Sequence, residues 1–280
     1  MKNVFIRVDL SSFVTGSTEH TWQPTMSAET NIPSYWLNWR FFLCAIFVLT
    51  SLFLSSFLIW KYEGYGKRRK RGGGHDHDQR EGTGVVYDDE SWNTCVKSIH
   101  PNWLLGFRVF GFVLLLGLIS GNAIADGAGI FIFYTQWTFT LVTIYFGTCA
   151  GAVLLTDGVF WFIIYPFLTS KDFNLDFFIV IMHSVNAVFL LGETFLNSLR
   201  FPLFRISYFV VWTGFFVLFQ WIVHACVSFW WPYPFLDLSS SYAPLWYAAV
   251  GLMHVPCFGV FALIVKLKYM WLSKCFSEEP

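Results

Sequence analysis

Residues 41–60, FFLCAIFVLTSLFLSSFLIW, run for twenty positions without a charge, and Lys67, Arg68, Arg69, Lys70 and Arg71 follow within the next eleven. A helix rises ~1.5 Å per residue, so about 20 apolar residues cross the ~30 Å hydrocarbon layer of a bilayer. Basic residues close behind a span mark its cytosolic side. The pair therefore predicts a first transmembrane helix that leaves the chain in the cytosol. About forty mostly polar residues precede the run, which is also longer than a signal-peptide core, so this span is expected to remain uncleaved.

The same pattern recurs downstream. The chain is 55% hydrophobic and 21% aromatic but only 13% charged, about half the ~25% charge of an ordinary soluble domain. A formal net charge of zero says nothing about nucleic acid or acidic substrates, and only the local basic run is informative; the expected partners of a chain this apolar are membrane lipids, with no nucleic acid. Six cysteines show no CxxC spacing. Cys44, Cys149, Cys226 and Cys257 lie in apolar segments and read as small core hydrophobes, and Cys275 in the juxtamembrane tail is a candidate for acylation.

Further apolar segments fall near 104–125, interrupted by Arg108 and ended by Asp126, and near 177–199, 206–229 and 244–265. Residues 127–170 carry a single charge, Asp157, and are long enough for two minimal spans joined by a tight turn. Two helices there place the basic loop after residue 60, Arg200 with Arg205, and Lys266, Lys268 and Lys274 on one side. A single helix puts the last three lysines on the opposite side, against the positive-inside bias. The expected fold is all-α: a polytopic membrane helix bundle of about seven transmembrane helices. It divides into a polar N-terminal segment (1–40), a first span (41–60), a flexible cytosolic loop (61–100), a six-span core (101–268) and a cytosolic tail (269–280). An endoplasmic reticulum, other endomembrane or plasma membrane location follows, with the C-terminus cytosolic.

Ionisable and amide side chains at bilayer depth cost ~2.5 to 3.5 kcal/mol for a charge and usually face the bundle interior. At 100° per residue, His183, Asn186, Glu193 and Asn197 fall within an arc of roughly 80°, one polar stripe on the fifth span. Thr213, Gln220 and His224 share a face of the sixth span, and the seventh contains His254. The stripe reads either as interhelical hydrogen bonding or as a catalytic or substrate-binding face. Thr135 begins the third span from the same side as His183. Membrane threonines commonly bond the preceding turn, but beside an imidazole base a threonine hydroxyl becomes a nucleophile.

Four further segments carry a resemblance. They are YTQWTF with Gly147 twelve residues after its first threonine, the pair Tyr165 and Pro166, HSVNAVFLLGE from His183 to Glu193, and WWPYPFLDL from Trp230 to Leu238. In this order and spacing residues 100–275 resemble the androgen-induced and androgen-dependent membrane proteins and their relative rolling stone, and among these the uncharacterised plant members. The animal proteins of that group hydrolyse fatty acid esters of hydroxy fatty acids with an intramembrane threonine and histidine. The resemblance implies Thr135 as nucleophile and His183 as its base, acting on a lipid ester with no cofactor and no metal. Asn186, Glu193, His224 and His254 are the supporting polar residues, although Glu193, ~15 Å along a helix from His183, lies too far away to orient that imidazole. The group's hydrophilic loop after the threonine helix is replaced here by TIYFG running through Thr148 and Cys149 into AGAVLL. So short a junction predicts strained third and fourth spans.

Two other readings compete. Three histidines in the outer half of the bundle are the ligand number of a catalytic zinc site, which makes a zinc-dependent intramembrane hydrolase of His183, His224 and His254 a lesser alternative. A non-catalytic membrane protein acting in transport, adhesion or assembly is the main one, because no catalytic motif is sharp. His75, Asp76, His77 and Asp78 read as a solvated loop, and Trp230, Trp231 and Tyr233 as an outer interfacial belt. The sequence leaves the acyl chains of a substrate and the oligomeric state undetermined.

Overall fold

A computed structural model describes residues 29–63, 94–96, 98–144, 180–181, 183–198, 201–228 and 230–275. The basic run 67–71, the HDHD segment, Cys149, Asp157, Tyr165 with Pro166, the 147–150 junction, the expected fourth span and the chain ends lie outside these residues.

The first helix, α1, covers Trp39–Glu63, wider at both ends than the uncharged run. Asn38 explains its start, because its side-chain oxygen accepts the Phe41 N–H at 3.0 Å, the bond that an N-cap residue supplies to an otherwise unpaired amide. A single helical turn, Pro33–Trp36, precedes it. Helix α2, Pro101–Asp126, starts with Pro101 in its first turn, where the missing N–H costs nothing, and His100 accepts the Asn102 N–H. It ends on Gly127, whose φ of 77° is a conformation that side-chain-bearing residues rarely adopt. A 3-10 turn, Ala128–Ile132, leads to α3, Tyr134–Ile144.

The fifth expected span differs from the continuous helix of the sequence reading. Helix α4 covers only Val185–Leu196, ~18 Å long and too short to cross a bilayer by itself. His183 and Ser184 form a turn in front of it, so His183 stands at a break in the segment rather than on the helical face computed for it. Helix α5 is Ile206–Cys226. Helix α6, Ala243–Cys275, runs ten residues past the expected span and continues through Pro256, whose ring removes one hydrogen bond of the ladder.

Contacts define how these helices run. Helices α1 and α5 pack most extensively and are antiparallel: Arg205 at the start of α5 pairs with Glu63 at the end of α1 (3.5 Å), and Tyr62 stacks on Phe204. At the other end Thr30 donates to the His224 carbonyl at 2.8 Å. Helices α2 and α4 are also antiparallel, since Cys95 meets Leu196 and Phe195 while Phe110 reaches Phe189. Small residues allow close approach, as usual in lipid where packing replaces the hydrophobic drive. A Cβ on Gly192 would sit 2.6 Å from the Phe107 ring, and one on Gly214 2.5 Å from Leu52.

Two apolar clusters result. One joins α1, α5, the start of α6 and the 230–238 segment around Trp221, Trp231 and Tyr247. The other joins α2, α3, α4 and the later part of α6 around Leu115, Phe139, Leu190 and Phe261. The outward faces are apolar as well: Phe53 is 71% exposed, Trp103 74% and Ile124 86%. Among the described residues four helices are long and apolar enough to cross a membrane. Apolar residues outside with Asn186, Glu193, Gln220 and His224 inside is the distribution lipid demands, the reverse of a water-soluble helix pair.

Candidate functional site

The chain after α5 turns back into the protein rather than lying along the interface. Trp231 is 4% exposed and stacks on His224 with ring centroids 3.7 Å apart and planes within 5°. Its indole N–H donates to the Tyr35 hydroxyl at 3.0 Å. The Leu238 N–H donates to the same oxygen at 2.9 Å, and Tyr35 donates to Asp237 Oδ1 at 2.7 Å. Arg40 adds a bond to the Ser239 carbonyl. Of the belt expected of Trp230, Trp231 and Tyr233, Trp231 is instead a buried plug, because the short N-terminal turn supplies a hydrogen-bond partner that lipid does not, while Trp230 and Tyr233 stay partly exposed. Burial, with Asp237 beside it, pushes the Tyr35 phenol well above its usual range.

From this plug Tyr233 reaches the first turn of α3. Its hydroxyl oxygen accepts the Tyr134 N–H at 3.1 Å, with Thr135 beside it. Burial raises this phenol to about 12, against the opposite pull of the Thr135 and Tyr134 groups beside its oxygen. The first N–H groups of a helix have no intrahelical acceptor, and Tyr233 supplies one. Thr135 is 7% exposed and differs from the other threonines of α3. The hydroxyls of Thr138, Thr140 and Thr143 donate to carbonyls four residues back, at 3.0, 2.7 and 2.8 Å. Thr135 stands in the first turn of α3, and its hydroxyl makes no such bond among the described residues.

His183 is 8% exposed in the turn that precedes α4, and α3 and α4 touch. Thr135 lies in the first turn of α3 and His183 just ahead of α4. Asn186 is fully buried; its side-chain oxygen accepts the Ala187 N–H at 2.8 Å, and its amide nitrogen lacks a partner among the described residues. Asn186, Glu193 and Asn197, like His183, are all turned inward, as their stripe predicted.

Glu193 has structural partners. Arg108 Nε and Nη2 donate to Glu193 Oε1 at 2.9 and 2.5 Å, and Asn197 Nδ2 adds a longer bond at 3.3 Å. Lys268, 3% exposed, donates to the carbonyls of Thr194 (2.8 Å) and Asn197, a cation on the otherwise unpaired carbonyl end of α4. The pairing of Arg108 with Glu193 was open to sequence reasoning, because charges within spans seek one another. Lys268 was assigned to the cytosolic flank and offered no such signal.

The remaining histidines are engaged separately. His224 Nδ1–H donates to the Gln220 carbonyl at 2.8 Å. His254 Nδ1–H donates to the Val250 carbonyl at 2.9 Å, and its Nε2 lies 2.9 Å from Thr213 Oγ1. Thr213 Oγ1 is also 2.8 Å from the Tyr134 hydroxyl. Among the described residues no three His, Cys, Asp or Glu side chains gather to hold a metal ion. The zinc reading fails because His224 and His254 are held on separate partners by their own helices.

Fold and interior together define the class, an α-helical integral membrane protein with a hydrogen-bonded polar interior. Comparisons with models of known protein families, with curated proteins and with solved structures find no match.

Proposed function

We propose that this protein is an intramembrane hydrolase of lipid esters, with Thr135 as nucleophile and His183 as base. The observation that supports it best is the setting of Thr135, a buried hydroxyl in the first turn of a helix that, unlike those of Thr138, Thr140 and Thr143, is not bonded to a carbonyl four residues back. A neutral imidazole beside it would take the hydroxyl proton as oxygen attacks the ester carbonyl, then return it to the leaving alkoxide; water would release the acid by the same route. Fatty acid esters of hydroxy fatty acids are the substrate class that the resemblance brings. The seven-span topology belongs to the same proposal. Its support is that α2 and α4 run in opposite directions, which calls for an even number of crossings between them.

A second reading, a non-catalytic bundle, draws on one observation: Glu193 and Asn197, half of the α4 stripe, tie helices together. Ester cleavage by the full chain in membranes separates the two. Wild type is expected to hydrolyse a long-chain branched ester, with a loss of about 10²-fold or more in Thr135→Ala and His183→Ala. Equal cleavage by wild type and the double variant would exclude the hydrolase. Protease access to a tag after Pro280 only from the cytosolic side, with a tag before Met1 protected, checks the topology.

A further inference from the structure

Thr213 and His254 form a threonine–histidine contact that the Thr135 reading does not use. The Val250 carbonyl can only accept, so the proton of neutral His254 sits on Nδ1, and Nε2 offers its lone pair. Thr213 Oγ1 lies 2.9 Å from that lone pair and 3.2 Å from its other acceptor, the Phe209 carbonyl. The shorter contact is of the length expected between a nucleophilic hydroxyl and its general base. On the other side, the Tyr134 hydroxyl meets Thr213 Oγ1 at 2.8 Å. With the Thr213 proton directed to His254, Tyr134 must be the donor, which fixes the remaining lone pair of Oγ1. The imidazole packs on Phe209 with ring centroids 4.2 Å apart, which restrains its plane. Three helices, α3, α5 and α6, converge on one oxygen atom.

The depth of this contact selects the chemistry it can meet. Thr213 lies ~10 Å from the start of α5 and ~20 Å from its end, and His254 ~16 Å into α6. Thr213 is half-buried and His254 is buried at that depth, within two helices of membrane-spanning length. A substrate arriving there comes through hydrocarbon.

We infer that Thr213, with His254 as its base and Tyr134 holding its oxygen, is a second nucleophilic site that takes the acyl group of a membrane lipid ester. This rests on the reading of the bundle as an intramembrane hydrolase. Oγ1 bonds to the carbonyl carbon as its proton passes to His254 Nε2. The carbon–alkoxy bond breaks, and the departing alkoxide takes that proton. Water then attacks the acyl-threonine, gives a proton to His254, and releases the carboxylic acid as the proton returns to Oγ1. No oxidant or metal is required.

The test uses the full chain in membranes with an alkyl fluorophosphonate, whose phosphorus takes the place of the carbonyl carbon and whose fluoride leaves. Mass spectrometry then locates the adduct. The expected result is an adduct on Thr213 that persists in Thr135→Ala and falls at least tenfold in His254→Ala. Thr213→Ser should retain labelling and Thr213→Val should lose it, a comparison that separates chemistry from folding. An adduct on Thr135 alone overturns this inference and leaves the proposed function standing; an adduct on neither threonine overturns both. A Thr213 adduct undiminished in His254→Ala removes His254 as the base.

Discussion

Separating Arg108 from Glu193 should destabilise the bundle unequally, according to which charge is left behind. The pair joins α2 to α4 through two bonds of 2.9 and 2.5 Å to one carboxylate oxygen, with Glu193 1% and Arg108 18% exposed. Two unit charges ~4 Å apart attract by about 4 kcal/mol at an effective dielectric constant of 20. In Glu193→Gln the amide keeps an oxygen for Arg108, and the partly exposed guanidinium regains some solvation. About 2 kcal/mol should be lost. In Arg108→Met the carboxylate keeps only the long Asn197 bond and the more distant charge of Lys268, and removing one partner of a buried pair costs ~3 to 5 kcal/mol. The double variant Arg108→Met/Glu193→Met leaves no charge, so its loss should be smaller than that of Arg108→Met alone. Unfolding in detergent, followed by tryptophan fluorescence over an SDS titration, measures all three against wild type. Single losses that simply add in the double variant, or an Arg108→Met loss under ~1 kcal/mol, would refute the claim that this pair is a coupled, buried one.

Two further outcomes follow from the packing and the plug. Alanine at Gly192 or Gly214 should cost ~1 to 3 kcal/mol by driving Phe107 or Leu52 aside, whereas alanine at Gly117 or Gly259, where a Cβ meets nothing within 4 Å, should be neutral or stabilising by up to ~1 kcal/mol; the same titration reads both. Because burial and Asp237 raise the Tyr35 phenol, the stability it supplies is complete below the unfolded value of ~10 and is lost as pH rises through the folded value. The melting temperature should therefore fall more steeply above about pH 10 in wild type than in Tyr35→Phe, which should be less stable at pH 7; parallel curves would dismiss the Tyr35–Asp237 contact as a determinant.

Much of the architecture was legible in the chain because lipid leaves few choices. An uncharged run of membrane length must be a helix, since every backbone group must be satisfied within it, and α1, α2, α5 and α6 stand where the apolar runs predicted them. The inward stripe of Asn186, Glu193 and Asn197 was legible for the same reason: amides and carboxylates have no lipid-facing alternative. The setting of Thr135 at a helix start followed from YTQWTF coming shortly after Asp126 and Gly127.

Tertiary structure decided what spacing along one helix cannot express. A helical wheel assumes an unbroken helix, and the turn at His183 and Ser184 removed His183 from the wheel it was drawn on. Trp231 is amphipathic enough for either an interface or a core; Tyr35 and Asp237, whose partnership spans most of the sequence, draw it into the core. Three histidines at similar depth resembled a ligand set, but the His224 and His254 imidazoles are each held by a carbonyl of their own helix and the three do not gather. The nearest base to a threonine hydroxyl in the described bundle, His254 to Thr213, joins two helices whose relative rotation is set by side-chain packing across their whole length. Hydropathy determines which segments enter the membrane, while the faces they present to one another depend on contacts distant in the sequence.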